Sequence, residues 1–433
     1  MRDGVSALEQ LLSLDLEMEP NRRRLYQARL YRLIRNVSTS LYHALRLAVA
    51  CRCPNMHDVG LRLTPRSSTS SSEDKDEDIT KGLDFHVLLS HDSTTLDIGG
   101  GPWSRTQRWS ELLVRPVVPQ SQASDEPEST PNSPTPSNND RKGVRFSLPI
   151  KHSTPEHHAA STSTNTTTTS SVITQTLAAA LVPLDTLTPE DIADLCQILP
   201  KLPKHRADRC CGFIKDSSTP LNIRRYSIYP GDGLGDNGEW SVTSLRKIMA
   251  DVSGSAPPLL YGDRLRLAWT IASSTLQLHS SPWISTMPTL DEIYLIQRND
   301  KPVYQDAIVI KRLPEPTMPA RTPPIAKRPA LFALGILLVE LVLGNAIETF
   351  RPNKTQHHAV SPFEEDYETV MRLLTRVNTI GGANYDTAVR RCIWCEYSFQ
   401  PNPRGEDENP HTDVLMDVVS LLEQDMKNSG AVI

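Results

Sequence analysis

The residues with the clearest chemical potential lie close together near position 55. Cys51, Cys53 and His57 form a Cys-x-Cys-x3-His sequence, and thiolate and imidazole are donors that suit zinc. No second pair stands nearby at zinc-finger spacing, and Cys392-x-x-Cys395 lies far along the chain. A zinc site is one interpretation, and buried thiols with a capping histidine are the other. We favour the second and predict no metal site.

A glycine-rich loop, Gly231–Gly238, is the next candidate, because the backbone N–H groups of such loops can bind phosphate. The order of elements suits this function, with a predicted strand before the loop and a predicted helix after it. However, Asp232, Asp236 and Glu239 place negative charge where a phosphate would lie. We therefore favour a flexible connecting loop over a nucleotide site, and we predict no cofactor.

Arginines are dense near the start of a predicted N-terminal helix. Such a patch can bind the phosphates of nucleic acid, but it is more often a solvated helix face. The formal net charge of −5 gives no global reason to expect nucleic acid. We therefore do not predict a nucleic-acid partner. The residues concerned are Arg22, Arg23, Arg24, Arg29, Arg32 and Arg35.

Composition sets the broad class of the protein. Of 433 residues, 38% are hydrophobic and 34 are prolines, a balance that predicts folded domains with disordered stretches. The seven cysteines lack the spacing of a disulfide framework. The first twenty residues are acidic and amphipathic, unlike a secretory leader. We expect a reduced protein of the cytoplasm or nucleus that is not secreted.

The stretch expected to organise the fold is Arg328–Gly344, which is apolar on nearly every side when wound as a helix. Pro329 suits the first helical turn, and Gly344 suits the C-terminal cap. The apolar run is shorter than the roughly 20 residues that a membrane span requires, and it contains Glu340. We predict a buried central helix, around which other helices pack, and no membrane span.

Hydrophobic periodicity predicts the other elements. Helices are expected over residues 1–50, Thr188–Leu199, Val242–Met249, residues 259–281, Ser361–Leu374, Asp386–Phe399 and Val414–Met426. Strands are expected at Asp58–Thr64, Leu83–Leu89, Trp109–Arg115, Cys210–Ile214, Arg225–Tyr229, Ile293–Ile296 and Ala307–Ile310.

Residues 119–176 are rich in Pro, Ser, Asn and Thr, a composition that cannot bury enough apolar surface to offset the entropy of ordering. They predict a disordered insertion with one short strand, Val144–Leu148. The predicted domains are an N-terminal helical segment (1–53), a β-rich small-lobe part (54–118), the insertion (119–176), the rest of the small lobe with a connecting loop (177–240), and a helical large lobe (241–433).

Strands before a glycine-rich joint and helices after it suggest the two lobes of a protein kinase. The phrases Ala272–Trp283 and Leu331–Leu341, with the earlier Cys51–Leu63, resemble a family of uncharacterised fungal proteins. That resemblance implies a degenerate protein-kinase-like C-terminal domain of unknown function, often preceded by a helical prion-inhibition-type domain. The predicted fold class is α+β: a mostly helical protein-kinase-like large lobe, a small antiparallel β-sheet lobe, N-terminal helices and a disordered insertion.

The loop that would correspond to the catalytic loop of a kinase lacks the residues for proton transfer. Met287 falls about where the catalytic aspartate of a His-Arg-Asp motif would stand, and Asp291 or Glu292 falls near the asparagine position. A general base must come within about 3 Å of the proton that it accepts. Neither carboxylate reaches the position of the base unless the backbone moves.

The metal-binding and lysine positions of a kinase are also substituted. Asp306 lies in the region expected for Asp-Phe-Gly, but Ala-Ile follows it. Arg115 or Arg145 would replace the lysine of the Val-Ala-Ile-Lys strand, and Ala330 stands where the central helix of a kinase usually begins with aspartate. Phosphoryl transfer depends on metal and charge stabilisation, so these changes argue against catalysis.

We therefore predict a non-catalytic kinase-like scaffold or regulatory protein that acts through protein–protein contacts, without catalytic, cofactor-binding or metal sites. One alternative is an atypical phosphotransferase that uses Asp291, Glu292 or Asp306. Another is a nucleic-acid-associated helical protein that uses the arginines of Arg22–Arg35. The sequence identifies neither the protein partner nor the oligomeric state.

Overall fold

The computed structural model describes residues 2–49, 51, 53, 56–66, 75–92, 107–118, 190–199, 209–219, 223–231, 240–250, 259–285, 287–298, 301–313, 329–351, 361–394 and 410–430. The predicted insertion over 119–176, with its strand Val144–Leu148, lies outside these residues. So does the glycine-rich loop beyond Gly231.

Helices and strands alternate irregularly along the described chain. The helices are α1 (Arg2–Ala48), α2 (Asp76–Lys81), α3 (Leu195–Ile198), α4 (Leu245–Ala250), α5 (Tyr261–Leu278), α6 (Pro329–Leu343), α7 (Pro362–Trp394) and α8 (Pro410–Asn428). The strands are β1 (His57–Arg62), β2 (Phe85–Asp92), β3 (Gln107–Val117), β4 (Gly212–Asp216), β5 (Arg224–Pro230), β6 (Trp240–Ser244), β7 (Ile293–Arg298) and β8 (Lys301–Leu313). None of the described helices is long and apolar enough to cross a membrane.

All eight strands form one antiparallel sheet in the order β4-β5-β3-β2-β1-β8-β7-β6. The prediction of separate kinase-like lobes is therefore wrong. β7 and β8 fall within the range predicted as the helical large lobe, yet β8 pairs with β1, with Gly60 opposite Ile310. The physical reason is that β1 needs partners on both edges to satisfy its backbone N–H and C=O groups, and local sequence does not specify a partner so distant along the chain.

The sheet is strongly coiled, so that one of its faces is concave. β3 and β6 stand five places apart in the sheet order, which would separate them by roughly 24 Å in a flat sheet. Nevertheless, the rings of Trp109 on β3 and Trp240 on β6 lie only 6.3 Å apart, centroid to centroid. The concave face thus encloses a small second core, in which Leu88, Ile296 and Ile308 are buried.

The other face of the sheet packs against helices and forms the main core. α1 contacts β4 and β5, while α5 contacts β8 and also packs against α1, α6 and α8. α5 is buried over its whole C-terminal half, where some of the polar side chains bond one another or the backbone. Gln277, for example, donates to Ser273 Oγ (3.0 Å) and to the Thr64 carbonyl (3.3 Å).

The prediction of a buried helix beginning at Pro329 is confirmed by α6, whose residues from Leu331 to Leu343 are buried with the exception of Ile336. Gly344 has a φ of 73°, the left-handed conformation that terminates helices. Glu340 is buried within α6 because its Oε1 accepts a hydrogen bond from the Ile347 N–H at 2.8 Å. The side chain thereby secures the turn that follows the helix.

Candidate functional site

Four potential metal ligands converge where three elements meet. Cys51 and Cys53 follow the end of α1, His57 begins β1, and Cys196 lies in α3. The three sulfur atoms and one ring nitrogen all lie within 4.8 Å of one another. This is a Cys3His set, one of the common donor combinations of structural zinc sites.

Hydrogen bonds fix the orientation of the histidine in this cluster. His57 is 5% exposed, and its Nδ1 lies 2.7 Å from the carbonyl oxygen of Ser90 on β2. A carbonyl oxygen can only accept, so Nδ1 must carry the proton and donate it. In the neutral imidazole Nε2 then carries the lone pair, and this nitrogen lies 2.8 Å from Cys51 Sγ. The imidazole is held as a ligand would be, with one nitrogen anchored and the other available.

The thiols are crowded enough to disfavour more than one negative charge. Cys53 Sγ lies 3.4 Å from Cys196 Sγ. Burial, together with hydrogen bonds to Cys51 and Cys196, raises the pKa of the Cys53 thiol to about 12. Burial also raises the pKa of the Cys196 thiol above its ordinary value. Three thiolates at these distances therefore require a compensating cation.

The sequence interpretation missed Cys196 as the fourth member. It stands 143 residues after Cys53, and the pair Cys392 and Cys395 has the more usual Cys-x-x-Cys spacing of zinc ligands. Cys392 is buried in the packing of α7 against α6, near Gly335; Cys395 lies outside the described residues. An incomplete three-ligand motif was the available signal, but the choice among the remaining cysteines depends on the tertiary fold.

The residues predicted as substitutes for a kinase base are engaged in structural contacts. Asp291 accepts from Arg246 at 2.8 Å, and the same guanidinium also bonds Glu348. Glu292 accepts from the Ser285 hydroxyl at 2.6 Å. Met287, placed where the base would stand, is 37% exposed. Asp291 thus joins the loop to α4, and Glu292 joins two parts of the loop itself.

Asp306 belongs to a different polar cluster, on the concave side of the sheet. It bonds Arg62, which also lies 3.8 Å from Glu111, and Glu111 in turn lies 3.1 Å from His86. The side chains of Glu111 and Asp306 are only 6% and 5% exposed. These four residues occupy neighbouring strands β3, β2, β1 and β8. A pocket of about 400 Å³ opens beside them, lined by Arg62, Arg66, Asp84, His86 and Gln305 among others.

The remaining predicted positions also have structural partners where they are described. The Arg115 guanidinium donates two hydrogen bonds to the Asp84 carboxylate, from Nε at 2.8 Å and from Nη2 at 3.1 Å. It also lies over the Tyr229 ring. Arg145 lies outside the described residues. Ala330 stands in the first turn of α6 and is half-buried.

The arginines of α1 fasten this helix to other elements. Arg24 pairs with Asp417 of α8, and Arg29 pairs with Asp76 of α2. Arg35 donates to the carbonyl of Leu276 near the end of α5 and contacts His279, and burial lowers its pKa to about 10. These contacts agree with a packing function for this face of the helix.

Comparisons with known proteins identify a family and a similarity to a solved structure. The sequence profile of a family described as a domain of unknown function (DUF7580) matches residues 28–429. Among solved structures, a chain from the complex of Neurospora crassa PAN2 (WD40-CS1) with PAN3 (pseudokinase and C-term) is similar with a TM-score of 0.27 and 9% identity, over 91% of this chain and 68% of that one. No curated protein matches the sequence.

Proposed function

The chain belongs to the family of the domain of unknown function DUF7580, and we propose that it is a non-catalytic scaffold or regulatory protein that acts by binding another protein. The observation that carries this proposal is the engagement of its substitute carboxylates. Asp291, Glu292 and Asp306 each accept from a side chain of the protein itself. A general base, or a ligand of catalytic Mg²⁺, must point towards the site of reaction, whereas these contacts turn the three carboxylates towards internal partners.

Exposed apolar side chains near the N-terminus of α5 support the binding of a protein. Leu260, Tyr261 and Ile380 are 66%, 42% and 41% exposed. The Tyr261 hydroxyl donates to the Gly381 carbonyl at 3.1 Å, which joins the start of α5 to α7 near its interruption at Gly382. Large apolar side chains grouped on a surface are typical of contact sites.

We predict that ATP with Mg²⁺ leaves the thermal unfolding midpoint unchanged. A ligand that binds the folded state at 100 times its Kd stabilises it by about 2.7 kcal/mol, which would raise the midpoint by several degrees. The measurement is a thermal-shift titration with millimolar ATP and MgCl₂, compared with MgCl₂ alone. A saturable rise with ATP, accompanied by phosphate transfer to a protein substrate, would favour the atypical phosphotransferase instead.

The nucleic-acid alternative has less support, because Arg24 and Arg29 already pair with carboxylates. We also propose that the protein resides in the cytoplasm or nucleus, since the six described cysteines form no disulfides. The fungal origin and the prion-inhibition-type domain that the resemblance implies remain predictions.

A further inference from the structure

We propose that Cys51, Cys53, His57 and Cys196 bind one structural Zn²⁺ ion. This inference is independent of the proposed function, because it depends only on the positions of four donor atoms. Three thiolates and one imidazole form a complete tetrahedral set, and structural zinc sites are closed in this way. A catalytic zinc would instead keep one position for water or substrate.

The distances between donor atoms are close to those of an occupied site. Zinc–sulfur bonds of about 2.3 Å in a tetrahedron give sulfur–sulfur separations of about 3.8 Å. The observed contacts are 2.8 Å between Cys51 Sγ and His57 Nε2 and 3.4 Å between the sulfurs of Cys53 and Cys196, with all separations within 4.8 Å. Shifts of about 1 Å in these side chains would centre an ion.

The surroundings prepare the ligands for a soft divalent cation. The Ser90 carbonyl orients His57 so that Nε2 faces Cys51 Sγ, as a coordinating nitrogen would. The Asp194 carboxylate accepts from the Cys196 N–H at 3.0 Å, which fixes the start of α3. Thiolates favour zinc over magnesium or calcium, which prefer oxygen donors.

The position of the cluster indicates what the ion would stabilise. α3 comprises only four residues, far fewer than an isolated helix needs in water. Its Cys196 would be tied to the end of α1 and to β1, which lies at the middle of the sheet. We infer that the ion secures the segment through which the chain rejoins the sheet after residues 119–189.

A disulfide between Cys53 and Cys196 is the competing use of these thiols. Its formation would require an oxidant such as peroxide, with both thiols losing a proton and an electron to give the sulfur–sulfur bond and water. It would leave Cys51 and His57 without a function in the cluster. Zinc uses all four groups and requires no oxidant.

The test is the metal content of the full chain, purified without chelator in the presence of a thiol reductant. We expect about one Zn²⁺ per chain by elemental analysis, and a fall in the unfolding midpoint of roughly 5 °C or more when a strong chelator removes it. Cys196→Ser should lose the bound zinc. The matched control is Cys210→Ser, which alters a half-buried thiol outside the cluster and should retain it.

A second measurement covers the case in which Cys196→Ser does not fold. Metal-stripped wild-type protein titrated with Co²⁺ should develop the thiolate charge-transfer and d–d absorption of a tetrahedral site, saturating at about one ion per chain. The proposal is overturned if folded wild-type protein contains no zinc and gives no such spectrum, if Cys196→Ser keeps full zinc content, or if peptide mapping finds Cys53 and Cys196 disulfide-bonded.

Discussion

Trp283→Ala should lower the free energy of unfolding by about 3–5 kcal/mol, as expected for the truncation of a fully buried large aromatic side chain. Trp283 is 1% exposed and lies just beyond the end of α5. Its indole N–H donates to the carbonyl of Ser38 in α1 at 2.8 Å, and its ring meets Tyr42 edge-on at 5.3 Å between centroids. The substitution removes the packing of α1 against this turn and one hydrogen bond to the buried carbonyl of Ser38.

Urea unfolding followed by far-UV circular dichroism measures this loss. Trp283→Phe is a useful second variant, because it keeps an aromatic ring against Tyr42 and removes the N–H. Its loss in the free energy of unfolding should be less than half of the loss for Trp283→Ala. Trp394→Ala is the surface control, since Trp394 is 42% exposed, and it should change stability by well under 1 kcal/mol. A loss below about 1.5 kcal/mol for Trp283→Ala would show that Trp283 does not join α1 to the core as described.

Glu340→Gln should remove a fall in stability that the wild-type protein shows as the pH rises from about 4.5 to about 7. Burial raises the pKa of Glu340 to about 7 from its ordinary 4.5, while the hydrogen bond from Ile347 acts in the opposite direction. Between these values the folded state binds more protons than the unfolded state, so its stability decreases as the pH rises. This difference between the folded and unfolded pKa of Glu340 corresponds to a loss of on the order of 3 kcal/mol in the free energy of unfolding.

The measurement is the free energy of unfolding of wild type and Glu340→Gln at several pH values from 4.5 to 8. Glutamine keeps an oxygen to accept from Ile347 and carries no charge. The free energy of unfolding of the variant should therefore rise relative to that of wild type as the pH rises. Nearby Glu348, Arg246 and Asp366 also act on Glu340 and are present in both proteins. Glu77→Gln, which alters an exposed glutamate of α2, should leave the wild-type pH dependence intact. Parallel curves for wild type and Glu340→Gln would contradict this assignment.

Elements with strong local signals could be predicted from the sequence. Pro329 and Gly344 delimit α6 because proline suits a first helical turn and glycine tolerates the positive φ at its end. The capping box of Ser361 and Glu364 is confirmed by reciprocal hydrogen bonds of 3.3 and 3.1 Å. These features depend on residues three or four positions apart, so they are visible without knowledge of the fold.

Predictions based on periodicity were less accurate where tertiary contacts compete with it. The helix predicted over Val242–Met249 begins only at Leu245, because β6 extends through Ser244 and pairs with β7, with Val242 opposite Ile296. The helix predicted from Thr188 is reduced to α3, since Asp191 forms a bridge with Phe213 instead. In both cases a strand partner from elsewhere in the chain determines the local conformation.

The sequence by itself determined the buried character of α6 and most of the strands. It also showed the close spacing of Cys51, Cys53 and His57, although we favoured buried thiols over a metal site there. Only the tertiary structure decided that β8 pairs with β1 and that Cys196 joins the motif. Both depend on contacts between residues more than 140 positions apart. Backbone hydrogen bonding and metal ligation specify the kind of partner that is required, but its location follows from how the whole chain packs.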